Sequence, residues 1–131
     1  MSLSNPTVCN APQVGIFNNA FESCKSLKSI AITNFTGIAE DAFSYCTSLE
    51  SVDLTGIPIV PDKVFRFCTN LKTVKFNDFV SSIGKETFHS CGFQEIVIPN
   101  SVLYIGQFAF YNNTKLTKAT LGENLCNFDK E

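Results

Sequence analysis

The stretch Ala42 to Leu54, AFSYCTSLESVDL, decides how this chain is read, because it returns four more times. Ala20 to Ile32 reads AFESCKSLKSIAI, Val64 to Phe76 reads VFRFCTNLKTVKF, and Ala109 to Leu121 reads AFYNNTKLTKATL. Thr87 to Ile98 reads TFHSCGFQEIVI, one residue shorter. Aligned, the copies set Phe21, Phe43, Phe65, Phe88 and Phe110 in one column, with steps of 22, 22, 23 and 22 residues. A repeat of this period marks a solenoid, a chain of stacked coils. One coil cannot bury its own apolar face, whereas a neighbour stacked on it can. The column phenylalanines are therefore expected to form a single interior file, each contributing about 1.5–3 kcal/mol through burial.

Downstream of the column each copy carries an alternating apolar run. The inward positions are Leu27, Ile30 and Ile32; Leu49, Val52 and Leu54; Leu71, Val74 and Phe76; Phe93, Ile96 and Ile98; Leu116, Ala119 and Leu121. Such alternation predicts a short strand with one buried face. Upstream, Ile16, Ile38, Val60, Ile83 and Ile105 each lie five residues before a column Phe, and Phe35, Ile57, Val80 and Val102 lie three residues further up. These predict an apolar corner, set off from the strand by turn formers such as Gly56, Pro58, Asn77-Asp78 and Pro99-Asn100-Ser101. The segment leading into the Cys position, IGQFAFYN for example, has room for about one or two helical turns. The expected fold is α/β: parallel strands side by side on one face, short helical or 3-10 segments on the other side.

At the ends, Val8 lies eight residues before Ile16, as Ile30 lies before Ile38, and Leu125 and Phe128 take the places of Val102 and Ile105. The chain, residues 1–131, reads as one domain of about five repeats with ragged partial units, a slice of a longer array. Asn10 and the tail Asp129-Lys130-Glu131 are its weak candidates for caps.

Composition narrows the function. With 44% hydrophobic and 17% charged residues, the chain falls in the range of a folded domain. Its thirteen Phe and absence of Trp suit a narrow core, since Phe brings no polar atom inside. A formal charge of −2 without a basic cluster argues against binding nucleic acid through phosphates. No apolar run approaches the roughly 20 residues that span a bilayer, so no direct membrane insertion is expected of this segment. MSLSNPTVCN lacks the basic start and apolar core of a signal peptide.

The repeated unit resembles the BspA-type leucine-rich repeat, Ile-Gly-x-x-Ala-Phe-x-x-Cys-x-x-Leu-x-x-Val-x-Ile-Pro-x-Ser-Val. Ile105-Gly106 with Ala109-Phe110, Ile98-Pro99-Asn100-Ser101-Val102, and Ala42-Phe43 with Cys46, Leu49 and Val52 carry the resemblance, which spans about residues 8–128. Val64 and Thr87 depart from it in place of the small Ala, and Asn113 in place of Cys. The resemblance implies a leucine-rich-repeat solenoid, a right-handed coil with its strands on the concave face. It also implies a protein partner and a place at the cell surface or in secretion, with a role in adhesion.

Cys24, Cys46, Cys68 and Cys91 share one repeat position, which favours a buried column of free thiols over bridges. Cys9 and Cys126 lie near opposite ends. There is no C-x-x-C pair and the only histidine is His89, which does not make a zinc site. His89 and Cys91 could be cast as base and nucleophile, but Cys91 is read as inward, His89 as a solvent-exposed loop residue, and no third group orients the imidazole. Nothing implies a cofactor, and the chain is read as no enzyme. Asn34-Phe35-Thr36 and Asn112-Asn113-Thr114 are sequons that read more simply as chance.

The outward strand positions are the candidate partner site. One row is Ser29, Ser51, Thr73, Glu95 and Lys118; the other is Ala31, Asp53, Lys75, Val97 and Thr120. Two readings fit them equally: a solvated sheet with ladder pairs Asp53–Lys75 and Glu95–Lys118, or a concave protein-binding surface. The first makes the chain a structural spacer, the second a non-catalytic interaction module. These side chains are small and their charges cancel, so one slice is expected to bind weakly.

Overall fold

The computed structural model describes residues 14–32 and 35–128. Val8, Cys9, Asn10, Asn34 and the tail Asp129-Lys130-Glu131 lie outside the described residues. The strands are β1 (Val14–Ile16), β2 (Ser29–Ala31), β3 (Phe35–Ile38), β4 (Ser51–Asp53), β5 (Ile59–Val60), β6 (Thr73–Lys75), β7 (Ser82–Ile83), β8 (Glu95–Val97), β9 (Tyr104–Ile105), β10 (Lys118–Thr120) and β11 (Asn127–Phe128). Every pairing between them is parallel. The even-numbered strands are the alternating runs of the repeat. The odd-numbered ones are the upstream apolar cluster, expected as a corner and found as a second ladder. That ladder runs β5-β7-β9-β11, with β1 and β3 paired apart from it.

The phenylalanine column is one interior file. Ring centroids from Phe21 through Phe43, Phe65 and Phe88 to Phe110 are 5.0, 5.5, 5.6 and 5.4 Å apart, all stacked. Phe43, Phe65 and Phe88 are fully buried, whereas Phe21 and Phe110, with one file neighbour each, are half-buried. In the last copy the inward reading does not hold. Leu121 is 52% exposed and Ala119 is exposed, because no later alternating strand stacks on β10 among the described residues.

Among the described residues there is no helix, and the expected helical or 3-10 segments are absent. The reason is backbone handedness. Two residues before and two after each column Phe stand left-handed residues: Asn19 and Ser23, Asp41 and Tyr45, Lys63 and Phe67, Glu86 and Ser90, Phe108 and Asn112. A right-handed helix cannot pass through such positions, and a bulky side chain there costs about 1–2 kcal/mol. Hydrogen bonds offset that cost. The N–H groups of Ala42, Ser44 and Cys46 close turns onto Ala39, Asp41 and Phe43 in their own coil. Those of Phe43 and Tyr45 reach Val64 and Arg66 in the next. The turn side is thus bonded along the stack as the strand sides are.

The Cys column is buried and unbridged, and its thiols have a task beyond filling space. Sγ of Cys46, Cys68 and Cys91 donates to the carbonyl of Phe21, Phe43 and Phe65 respectively, at 3.1, 3.1 and 3.2 Å. Burial pushes the Cys68 and Cys91 thiols up, which keeps their protons on sulfur. Asn113, at the same position, donates Nδ2 to the Phe88 carbonyl at 2.8 Å. The column therefore calls for a donor rather than for sulfur. Thr87 departs from Ala with its buried hydroxyl satisfied, since its one O–H is shared between the Pro61 and Gly84 carbonyls at 2.7 and 2.9 Å.

Candidate functional site

The structure places the predicted site residues in two blocks rather than in two unbroken rows. Ser29, Ser51 and Thr73 stand in register across β2, β4 and β6, as do Ala31, Asp53 and Lys75. Glu95 faces Lys118 and Val97 faces Thr120 across β8 and β10. β6 and β8 are not paired. The shortened fourth copy explains the gap: it lacks a residue beside Gly92, and a Cβ at Gly92 would lie 2.6 Å from the Thr69 carbonyl oxygen. That coil cuts inward against its neighbour, with Phe93 buried edge-on to Phe88 at 5.5 Å. A shallow polar hollow of about 250 Å³, lined by Lys72, Gln94 and Glu95, marks the gap.

Electrostatics on these rows is mild. Lys75 Nζ lies 4.0 Å from Asp53 Oδ2, while Glu95 and Lys118, though opposite, form no ion pair among the described residues. Asp53 Oδ1 accepts the Thr55 N–H at 2.9 Å and the Thr55 hydroxyl. Partial burial raises the Asp53 carboxyl, but the two Thr55 bonds and the Lys75 charge outweigh it and hold it below its ordinary value.

A second surface escaped the sequence reading. An outer aromatic row runs along the turn side beside the Phe file. Tyr45 stacks on Phe67 at 4.9 Å, Phe67 meets His89 at 5.0 Å, and His89 meets Tyr111 at 5.1 Å. Phe108 closes the row edge-on to Tyr111, with ring planes 78° apart at 5.3 Å. At the other end the Arg66 guanidinium lies 5.7 Å from the Tyr45 ring centre while its Nε donates to Asp41 Oδ1 at 2.8 Å. The row is hidden in an alignment by a one-residue slip. Tyr45 and Phe67 sit two residues after the column Phe, His89 and Tyr111 one after.

His89 is therefore half-buried between rings, not a solvent-exposed loop residue. Its Nδ1 lies 2.8 Å from Ser90 Oγ, which accepts Asn112 Nδ2 at 2.9 Å. With that acceptor site taken, the serine hydroxyl is free to donate to Nδ1. Cys91 is buried and its thiol donates to the Phe65 carbonyl, while the imidazole nitrogen Nδ1 is engaged by Ser90. Among the described residues no group of three or more His, Cys, Asp or Glu could hold a metal ion, and no helix is long and apolar enough to cross a membrane.

The comparisons with known proteins agree with this architecture. The family model described as a BspA type leucine rich repeat region matches in six copies, over residues 13–57 and 36–131. Among curated proteins, none matches the chain. A leucine-rich repeat protein from Bacteroides ovatus superposes with a TM-score of 0.77 at 30% identity, over 91% of this chain and 33% of its own. A leucine rich cell surface protein from Faecalibacterium prausnitzii gives 0.73 at 27% identity, over 84% of this chain and 37% of its own. The leucine rich repeat protein of T. pallidum gives 0.72 at 25% identity, over 90% and 66%. The chain thus spans about a third of the length of the first two.

Proposed function

The chain belongs to the BspA-type leucine-rich repeat family, and from that membership we propose that it is a non-catalytic protein-interaction module of a cell-surface, adhesion-like protein. The observation that carries the reading is the block β2-β4-β6. It presents Ser29, Ser51, Thr73, Asp53 and Lys75 outward in strict register on three successive coils. Parallel neighbours sit about 4.8 Å apart, so the block offers polar side chains at fixed spacing to an extended partner segment. The second block, Glu95, Val97, Lys118 and Thr120, adds a distinct surface across the gap, where Val97 is 64% exposed. The location rests on likeness to a cell surface protein. Small side chains and one loose ion pair favour a weak contact per coil, made useful by repetition in a longer array.

The test is recovery of binding proteins by the wild-type chain and by a variant with Asp53, Lys75 and Glu95 all changed to Ala. Loss of one or more partners with the variant is the expected result. Indistinguishable recovery would leave the spacer reading, in which the rows are solvated ladder pairs.

A further inference from the structure

On the turn side, at the end of the outer aromatic row, Glu86, His89, Phe108 and Tyr111 line an open hollow of about 270 Å³. We propose that this hollow is a binding site for an alkylammonium group, carried by a lysine side chain or by a quaternary ammonium such as choline. The walls are aromatic and lie in different planes. Phe108 and Tyr111 are 78° apart, and His89 is tilted 50° from Tyr111. The inner Phe file, by contrast, is close to parallel throughout and leaves no room between rings. Non-parallel rings around a hollow present π surface to a cation from more than one side, which is how aromatic cages hold ammonium groups.

Five acids lie along the turn side, and four are engaged. Glu22 accepts Asn19 Nδ2 at 2.6 Å, Glu40 pairs with Lys63 at 3.2 Å, Asp41 holds Arg66 at 2.8 Å, and Asp62 accepts the Lys85 N–H at 2.8 Å. Among the described residues Glu86 alone of the five has no side-chain partner, and it is the one that lines the hollow. Lys63 and Arg66 are paired with Glu40 and Asp41, and among the described residues no ion pair reaches Glu86, the adjacent Lys85 included. The third wall is held in place in advance, through the Asn112–Ser90–His89 chain of hydrogen bonds. A free carboxylate among preset aromatic walls selects a cation with an apolar collar over a bare metal ion or an anion.

The experiment is titration of the whole chain with choline chloride and, separately, with Nα-acetyl-lysine methylamide, followed by the ring-proton NMR signals of Phe108 and Tyr111. Saturable shifts with at least one probe are expected, and whichever binds more tightly identifies the source as a headgroup or a protein lysine. Glu86→Gln, a near-isosteric surface change, is expected to weaken that binding about tenfold, and Tyr111→Ala to abolish it. Tyr45→Ala, at the far end of the row, and the triple strand-row variant should bind as wild type does, which separates this site from the proposed partner face. No saturable shift with either probe overturns the proposal. So does equal binding of the uncharged choline isostere 3,3-dimethylbutanol, or unchanged affinity in Glu86→Gln.

Discussion

Two aromatic files run side by side through this molecule with nearly the same step, and they differ in everything else. The inner file is all Phe, its rings lie within 1–19° of parallel, and its middle members are fully buried. The outer file is Tyr, Phe, His and Tyr, its planes tilt to 42° and 50°, and Tyr111 is 48% exposed. The step, close to the spacing of parallel strands, is set by the coils. Composition is set by water. An unpartnered hydroxyl or imidazole inside the inner file would cost the price of desolvation without a hydrogen bond, whereas the outer file keeps its polar tips wet. The same stacking thus serves cohesion on one side of the backbone and leaves chemistry available on the other.

The sharpest way to break this contrast is to remove one ring from each file in the same coil. Phe65→Ala deletes a fully buried ring between two stacked neighbours, with an expected loss of about 3–5 kcal/mol. Phe67→Ala deletes a half-buried ring that touches Tyr45 and His89, with an expected loss of about 1–2 kcal/mol. Urea unfolding of both variants measures the difference. Equal losses would mean that the outer row is as structural as the inner one.

A smaller test lies in the column of donors next to the inner file. Asn113→Val removes the Nδ2 bonds to the Phe88 and Phe110 carbonyls, both 2.8 Å, and should cost about 1–3 kcal/mol. Asn113→Cys restores the thiol donor used by Cys46, Cys68 and Cys91. It also removes Asn113 Oδ1, a buried acceptor without a partner. That variant should stay within about 1 kcal/mol of wild type. If Cys proved as costly as Val, the column would be selecting amide geometry and not simply a donor.

These residues also show what the amino-acid order reveals and conceals. The Phe file and the even strands were legible because burial repeats in space only if it repeats in sequence. The left-handed residues were not, since no glycine marks them: Lys63 and Phe67 are poor local candidates, held there by bonds to Lys85 and His89 in the next coil. The odd strands escaped because two-residue strands such as Ile59–Val60 have no alternation to read. The rows at β2-β4-β6 were read in correct register, but the gap before β8 depends on how far the coil moves when one residue is lost. The hollow at Glu86 was invisible because its walls come from two coils, and because Phe108 stands two residues before its column Phe, where the other copies carry Asn19, Asp41, Lys63 and Glu86.

The strand row carries the contrast to its wettest limit and gives the smallest effect. Asp53 and Lys75 repeat on adjacent coils as the rings do, but at 4.0 Å and with Lys75 70% exposed. A double-mutant cycle with Asp53→Asn and Lys75→Met should return a coupling of roughly 0.2–1 kcal/mol that shrinks as salt is added. The pH dependence has a definite sign. The folded-state carboxyl titrates below its unfolded value, so the stability contributed by ionised Asp53 is complete above the unfolded value and is lost as pH falls through the depressed one. Thermal melts of wild type and Asp53→Asn should therefore converge on acidification. Most of the difference should survive Lys75→Met, because two Thr55 hydrogen bonds precede the lysine charge among the forces that depress the carboxyl. If Lys75→Met alone erased the difference, the row would be an electrostatic ladder running from coil to coil. If it did not, each strand position is stabilised chiefly within its own coil, and the outward side chains of the row are free to serve a partner.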